Sequence, residues 1–234
     1  MLHLVGVGLD DKEITEKGLE AIENSEKVYA EFYTNTETVD LERVEQKTGS
    51  EIEKLPRDKV EREDRIIESA EEKDTAFLVS GDPLTATTHY DIKHRAEEKG
   101  LKVEVVHAPS IFTSIAETGL NVYKFGRTVT LPEDSAPQSV ADYIEKNDEI
   151  GLHSLILLDI DYPAGKASEK LTGLNEDLEE RDAVVFERAN NDSQKITSGK
   201  LKEFTEKELG DPPHCIIIVG NTSHKEQEFL EAYR

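Results

Sequence analysis

The segment Phe77-Leu78-Val79-Ser80-Gly81-Asp82-Pro83-Leu84-Thr85-Ala86-Thr87-Thr88-His89 contains the pattern that decides the fold. Its first residues belong to the apolar run Thr75–Val79, which predicts a buried β-strand. The Gly-Asp-Pro turn ends that strand, and Thr88–Lys99, closed by Gly100, has the spacing of a helix. Another strand is predicted at Lys102–Val106. This succession of strand, turn, helix and strand is typical of α/β folds.

The same alternation extends over the rest of the chain. Leu2–Val7 predicts a strand, and Leu19 and Ile22 lie on one face of a predicted helix. A second series is predicted with a helix from Pro109-Ser110 to about Thr118, a strand at Lys124–Thr130, a helix at Val140–Lys146, strands at Leu155–Leu158, Ala183–Phe186 and Cys215–Val219, and a terminal helix at Lys225–Tyr233.

The boundary between the two series is predicted at Ala108-Pro109. No fixed-period repeat or low-complexity linker separates them, so the connection must be short. The residue before a proline is biased towards extended backbone, and Ser110 is a suitable cap for the next helix. We therefore predict two α/β domains, residues 1–108 and 109–234.

Charge separates this chain from most nucleic-acid-binding proteins. Its 234 residues include 51 Asp and Glu against 28 Lys and Arg, a net charge of −23. Such a field repels phosphate groups, which disfavours a nucleic acid or an anionic membrane as partner. The acidic residues are spread along the chain, which predicts a folded domain in a halophilic cytoplasm. An ordinarily acidic soluble protein is the alternative.

The remaining composition predicts a reduced, cytoplasmic protein without a metal. Cys215 cannot form an internal disulfide, and no signal peptide or membrane-length apolar run is visible. The seven histidines show no metal-binding spacing, and Asp159-Ile160-Asp161 is more typical of a strand end with solvated carboxylates than of a cation site.

Three turns carry candidate binding residues. Gly6-Val7-Gly8-Leu9 follows a strand and fits either a ligand turn or a structural one, since it lacks the third glycine of the dinucleotide pattern. Asp82 lies where α/β sheets bind ligands and could accept hydrogen bonds from a ribose or an ammonium group, or only organise its own turn. Ser110 is more typical of a helix cap than of a nucleophile.

Taken together, several segments resemble the archaeal diphthine synthase family of the tetrapyrrole methylase superfamily. The segments are Gly6-Val7-Gly8-Leu9, Ala30-Glu31-Phe32-Tyr33-Thr34, residues 81–89, His107-Ala108-Pro109-Ser110-Ile111, Tyr123-Lys124-Phe125-Gly126, Gly151-Leu152-His153, Leu157-Leu158-Asp159-Ile160 and Gly210-Asp211-Pro212-Pro213-His214. The match spans nearly the whole chain.

The resemblance implies a homodimer of two α/β domains with S-adenosylmethionine in the cleft between them. It implies methylation of the amino group on the modified histidine of translation elongation factor 2, in diphthamide biosynthesis. The implied cofactor contacts are Leu9, Asp82, Thr85, Ser110, Ile111, Leu158, Glu187 and His214. Glu187 stands where the family usually has a small residue, so its contact would use the backbone. No catalytic base is assigned.

Two other functions are compatible with the sequence. One is a related methyltransferase that acts on a corrinoid or on ribosomal RNA, although the net charge of −23 disfavours RNA. The other is a binding module for S-adenosylmethionine without catalysis, which the unusual Glu187 region would favour.

Overall fold

Two five-stranded sheets carry the fold. The structure is a computed structural model that describes residues 1–31 and 39–234, apart from the Asp11 side chain. The chain divides into unit 1, Met1–Thr113, and unit 2, Ser114–Arg234. Both units combine helices with a sheet, so the predicted α/β fold is confirmed. The domain boundary at residues 108 and 109 stays a prediction.

Unit 1 contains a parallel sheet with helices on both faces. In chain order its elements are β1 (Leu2–Gly6), α1 (Glu16–Glu23), β2 (Lys27–Glu31), α2 (Leu41–Thr48), β3 (Ile52–Leu55), α3 (Arg57–Arg62), α4 (Arg65–Glu72), β4 (Thr75–Val79), α5 (Tyr90–Glu98) and β5 (Val103–Val106). The strand order is β3-β2-β4-β1-β5, and every pair is parallel.

The two faces of this sheet pack against different helices. Val5 and Leu78 share one core cluster with Ile22 of α1, while Phe77 shares the other with Ile92 of α5. All residues of β1 and β4 are buried, as expected for central strands covered on both sides. The connections after β1 and β4 therefore leave on opposite faces.

Unit 2 is built around a mixed sheet. The short helix α6 (Ile111–Ser114) crosses the boundary from unit 1 into unit 2, and a 3₁₀ turn follows at Ile115–Thr118, where the sequence predicts one continuous helix. The further elements are β6 (Val129–Leu131), α7 (Ser139–Glu149), β7 (Ser154–Leu158), α8 (Ala164–Leu174), β8 (Asp182–Glu187), β9 (Lys195–Lys200), β10 (His214–Ile218) and α9 (His224–Ala232). The strand order is β6-β7-β10-β8-β9, and only β6 and β7 are parallel.

The predicted strand at Lys124–Thr130 is wrong from Lys124 to Thr128, because β6 begins at Val129. The amide side chain of Asn147 takes the place of a neighbouring strand there. It accepts from the Arg127 N–H at 2.9 Å and donates to the Arg127 carbonyl at 2.9 Å. This side chain satisfies the backbone of Arg127, while the Lys124 carbonyl and the Gly126 N–H pair with the backbone of His153 at 2.7 Å and 2.9 Å.

At the other edge of this sheet, β9 is hydrogen-bonded to the residue that follows α9. The Ser198 N–H of β9 donates to the Tyr233 carbonyl at 2.8 Å, just after the end of α9. Arg188 and Asn190, between β8 and β9, have positive φ angles of 44° and 64°.

Candidate functional site

The loops after β1 and β4 meet at the carboxyl edge of the unit 1 sheet. Gly8 and Gly81 form an antiparallel bridge, with N–O distances of 3.2 Å and 2.7 Å. Both have positive φ angles, 78° and 68°, which glycine adopts at no steric cost. Because adjacent strands whose connections leave on opposite faces create a crevice at this edge, the bridge marks the position where α/β sheets bind ligands.

The end of β1 has no room for a side chain. A Cβ atom on Gly6 would lie 2.6 Å from the Gly81 carbonyl oxygen, 2.8 Å from Ala108 Cβ and 2.9 Å from Pro83 Cδ. Gly6 therefore lets the loops that follow β4 and β5 approach each other above the end of β1.

Asp82 organises the loop after β4. Its Oδ1 accepts from the Leu84 N–H at 3.0 Å and from the Thr85 hydroxyl at 2.9 Å, while Oδ2 lies 2.6 Å from His107 Nδ1. Burial raises the pKa of Asp82, but the hydrogen bonds from Leu84, His107 and Thr85 outweigh it and hold the pKa below its ordinary value. The carboxylate is thus ionised and keeps one lone pair on Oδ2 for another donor.

Leu9 and Ser110 complete the surroundings of Gly81. Leu9 Cδ2 and Ser110 Cβ each lie 3.7 Å from the position that a Gly81 Cβ would occupy. Ser110 is buried, and Ile111 begins α6 beside it. Unit 1 therefore brings together Leu9, Asp82, Thr85 and Ser110, four of the residues that the sequence resemblance implies as cofactor contacts.

The implied contacts of unit 2 gather at one end of its sheet. Glu187, the last residue of β8, pairs with His214, the first of β10, and both side chains are fully buried. Leu158 ends β7, the other neighbour of β10. The three residues therefore lie on adjacent strands at the same end of the sheet.

Two polar side-chain atoms at this end of the sheet have no hydrogen-bond partner among the described residues. His214 Nδ1 accepts from the Ala164 N–H at 3.0 Å, and Glu187 Oε2 accepts from the Gly210 N–H at 2.6 Å. Within the described part of the chain, His214 Nε2 and Glu187 Oε1 have no hydrogen-bond partner. Desolvation lowers the pKa of His214 despite the opposing Glu187 charge, which favours the neutral ring. The Glu187 side chain is thus a structural part of this edge.

The pairing of Glu31 with His89 was not predicted from the sequence. Glu31 Oε2 lies 3.2 Å from His89 Nε2, and Glu31 Oε1 accepts from the Ser80 N–H at 3.2 Å. This carboxylate therefore contacts the chain just before and just after the Asp82 loop. Both residues occur in quoted motifs, but their separation in sequence concealed the contact. Phe32, Tyr33 and Thr34 of the same motif lie outside the described residues.

The described ranges, 1–31 and 39–234, give little support to a cysteine nucleophile, a metal site or a membrane-spanning helix. Burial raises the pKa of the Cys215 thiol to about 12, so the thiolate needed of a nucleophile is disfavoured. No group of three or more His, Cys, Asp or Glu residues there is arranged to hold a metal ion. No described helix has the length and apolar character needed to cross a bilayer.

Comparison with known proteins extends the similarity over both units. The tetrapyrrole (corrin/porphyrin) methylase family matches residues 1–205. A diphthine synthase from Methanococcus aeolicus is 39% identical over 249 residues, covering 99% of this chain and 97% of its own. The chain belongs to the diphthine synthase family. A diphthine methyl ester synthase from Schizosaccharomyces pombe is 36% identical and matches 100% of this chain and 94% of its own.

The fold of this chain also resembles that of a diphthine synthase of known structure. A crystal structure of diphthine synthase superposes with a TM-score of 0.94 at 34% identity, covering 99% of this chain and 95% of that one. The family resemblance found in the sequence is confirmed, and the protein is a methyltransferase of diphthamide biosynthesis that uses S-adenosylmethionine.

The residues present fit such a methyl donor. S-adenosylmethionine carries hydroxyl and ammonium donors, which suit the remaining lone pair of Asp82 in unit 1. Unit 2, taken by itself, offers the unpartnered donor His214 Nε2 and the unpartnered acceptor Glu187 Oε1 among the described residues, the kinds of atom that pair with the ring nitrogens and the amine of an adenine. Apolar side chains accompany the polar atoms in each unit, as is usual for sites that bind small molecules.

Proposed function

We propose that this protein methylates the amino group of the modified histidine of elongation factor 2. The observation that carries the proposal is the loop of Asp82 at the carboxyl edge of β1 and β4, in a chain similar over its whole length to diphthine synthases. The finer substrate assignment rests on the family resemblance.

The chain's own residues have binding and positioning roles. S-adenosylmethionine supplies a methyl group on a sulfonium, a leaving group that needs no acid. We assign its binding to Leu9, Asp82, Thr85, Ser110 and Ile111 of unit 1 and to Leu158, Glu187 and His214 of unit 2. Correct orientation of two reactants can contribute about 7–11 kcal/mol to the lowering of a barrier.

The test is methylation of the matching elongation factor 2. The factor carries the aminocarboxypropyl-histidine intermediate and is incubated with labelled S-adenosylmethionine in molar KCl. The mass of the modified peptide is then measured by mass spectrometry. We expect a gain of one or more methyl masses that survives mild base, because base removes methyl esters but not N-methyl groups. The control is elongation factor 2 with an unmodified histidine, which should gain nothing.

Three outcomes would point elsewhere. Methyl groups that are all lost in base would indicate ester formation, the product in the name of the S. pombe relative. Cofactor binding with no transfer would contradict the proposed substrate and favour a corrinoid or RNA. If those substrates also failed, the non-catalytic binding module would be favoured.

We also propose that the protein is a homodimer in a halophilic cytoplasm. At molar salt the Debye length is ~3 Å, so repulsion among the 23 excess negative charges is screened. Salt also weakens surface ion pairs such as Lys27–Glu53, at 2.7 Å, but such pairs contribute only about 0–1 kcal/mol each.

We therefore expect molar KCl to stabilise the fold. Relative to 0.1 M KCl, Tm should rise by roughly 5 °C or more, which corresponds to about 2 kcal/mol for a chain of this size. Differential scanning calorimetry measures the change, with light scattering at each salt concentration to follow the dimer. A constant or falling Tm would contradict the halophilic assignment, and a monomer at all concentrations would contradict the dimer.

A further inference from the structure

His107 directly follows β5, next to the Asp82 loop. Its side chain is 70% exposed, whereas that of Asp82 is 9% exposed, and the two are joined by the 2.6 Å contact between Nδ1 and Oδ2. The Leu84 N–H and the Thr85 hydroxyl hold the other carboxylate oxygen. Asp82 is therefore a fixed acceptor, and it fixes one nitrogen of an otherwise accessible ring.

This contact determines which nitrogen of His107 can accept a proton. An ionised carboxylate only accepts hydrogen bonds, so Nδ1 must carry the hydrogen. In the neutral ring the free lone pair then belongs to Nε2, which does not contact Asp82. A buried carboxylate that orients an imidazole in this way is the arrangement that prepares histidine as a base in hydrolases.

The other histidines are placed differently. His3, His89, His153 and His214 are all buried. His94 and His224 are exposed, but each faces an exposed glutamate one turn along its own helix, at 3.8 Å and 3.4 Å. His107 combines an exposed ring with a buried carboxylate.

The ring also lies at the predicted cofactor site. β4 and β5 flank β1 in the sheet, so the segments after them meet at its carboxyl edge. Asp82 and Ser110, two of the implied cofactor contacts, lie on these segments and close to Gly81.

We propose that His107 is the general base that removes a proton from the substrate amine, with Asp82 as its positioning residue. The inference rests on the proposed function. An N–H bond of the substrate ammonium breaks, its electron pair stays on nitrogen, and the proton bonds to His107 Nε2. The amine pair then forms the C–N bond while the C–S bond electrons return to sulfur. His107 releases its proton to solvent, so each methyl transfer liberates one proton.

The test compares His107→Gln and His107→Ala with the wild-type enzyme in the elongation factor assay. Glutamine can still donate a hydrogen bond to Asp82 but cannot accept a proton at neutral pH. We expect kcat to fall about 10²–10⁴-fold in both variants, the usual contribution of general base catalysis. S-adenosylmethionine affinity, measured by calorimetry, should change by less than about threefold. Added imidazole should restore part of the activity of His107→Ala.

The control is His94→Ala, on the exposed surface of α5, which should keep wild-type activity. A His107→Gln variant within about threefold of wild-type kcat would overturn the inference and leave the proposed function intact. An inactive His107→Ala variant that binds the cofactor normally but is not rescued by imidazole would also overturn it. An inactive wild-type enzyme would overturn the proposed function and this inference with it.

Discussion

Replacing Glu226 by glutamine is expected to lower the free energy of unfolding by about 3–5 kcal/mol, the usual cost of breaking a buried charged network. Glu226 lies in the first turn of α9 and is 2% exposed. Its carboxylate accepts from Lys124 Nζ at 2.6 Å, from the N–H groups of Ser223 and Asn121 at 2.7 Å and 2.9 Å, and from His153 Nε2 at 3.1 Å.

Glutamine cannot replace this acceptor. His153 is fully buried and its Nδ1 accepts from the Gly220 N–H at 2.9 Å, so its Nε2 must donate to Glu226. Every partner of Glu226 is thus a donor, whereas a glutamine amide directs an NH₂ group at some of them. The donors left unpaired lose the charge-assisted bonds that now satisfy them.

The same network predicts sensitivity to acid. Burial raises the pKa of Glu226, but the hydrogen bonds from Lys124, Ser223, Asn121 and His153 outweigh it and hold the pKa well below the ordinary 4.5. A carboxylate with a lowered folded pKa stabilises the fold above its unfolded pKa, and that stability is lost as the pH falls through the folded value. Glu226→Gln should therefore lose less stability on acidification than the wild type.

Urea denaturation at pH 7 measures the stability difference. The matched control is Glu228→Gln on the same helix, whose carboxylate is 46% exposed and pairs with Lys225 at 2.6 Å. That control should lose less than about 1 kcal/mol, as is usual for surface ion pairs. A loss of this small size in Glu226→Gln would show that the network contributes little to stability.

Replacing Gly6 by alanine is expected to disrupt the candidate cofactor site. The added methyl group would lie within 2.9 Å of Pro83 Cδ and closer still to the Gly81 carbonyl oxygen and Ala108 Cβ. Backbone and proline atoms cannot rotate away, so the loops after β4 and β5 must separate. We expect a loss of about 1–3 kcal/mol in stability, typical of overpacking. S-adenosylmethionine should bind at least about tenfold more weakly, or ~1.4 kcal/mol.

Gly173→Ala is the matched control. Gly173 lies in α8, and its added Cβ would meet nothing within 4 Å. Alanine is favoured over glycine within helices by about 0.5–1 kcal/mol, so this variant should be at least as stable as the wild type and bind the cofactor equally. Wild-type affinity in Gly6→Ala, measured by calorimetry, would mean that the close approach above β1 does not shape the site.

Local pattern predicted the framework of the fold well. Thr75–Val79 is a strand with the predicted limits, because an apolar run ended by a Gly-Asp-Pro turn has few alternatives. β2, β3 and β9 were not predicted. In β3, at Ile52–Leu55, only the two end residues are buried, and the charges between them obscure the pattern. The strand predicted from Lys124 begins late because its pairing beside β7 is interrupted: Phe125 bridges His153, and the next pair is Val129 with Ile156.

The turns that form the site could be predicted from the sequence, but the side-chain contacts between those turns could not. The glycines and Asp82 follow strands, and that position indicates the ligand edge of an α/β sheet. The contact between Asp82 and His107 joins residues from different loops, and that between His153 and Glu226 joins distant parts of unit 2. Such contacts depend on strand order, which periodicity does not give.

The two edges of the unit 2 sheet bear on aggregation, because backbone groups at or next to each edge strand are already hydrogen-bonded. An exposed strand edge offers unpaired backbone groups to other chains, a template for intermolecular sheets. Here β6 has only three residues and follows backbone already bound by Asn147, while Tyr233 occupies the Ser198 N–H of β9. At molar salt, repulsion between like-charged chains is largely screened and no longer keeps them apart. The shortness of β6 and the hydrogen bonds already made at these edges then oppose sheet-to-sheet association, as net charge does in dilute buffer.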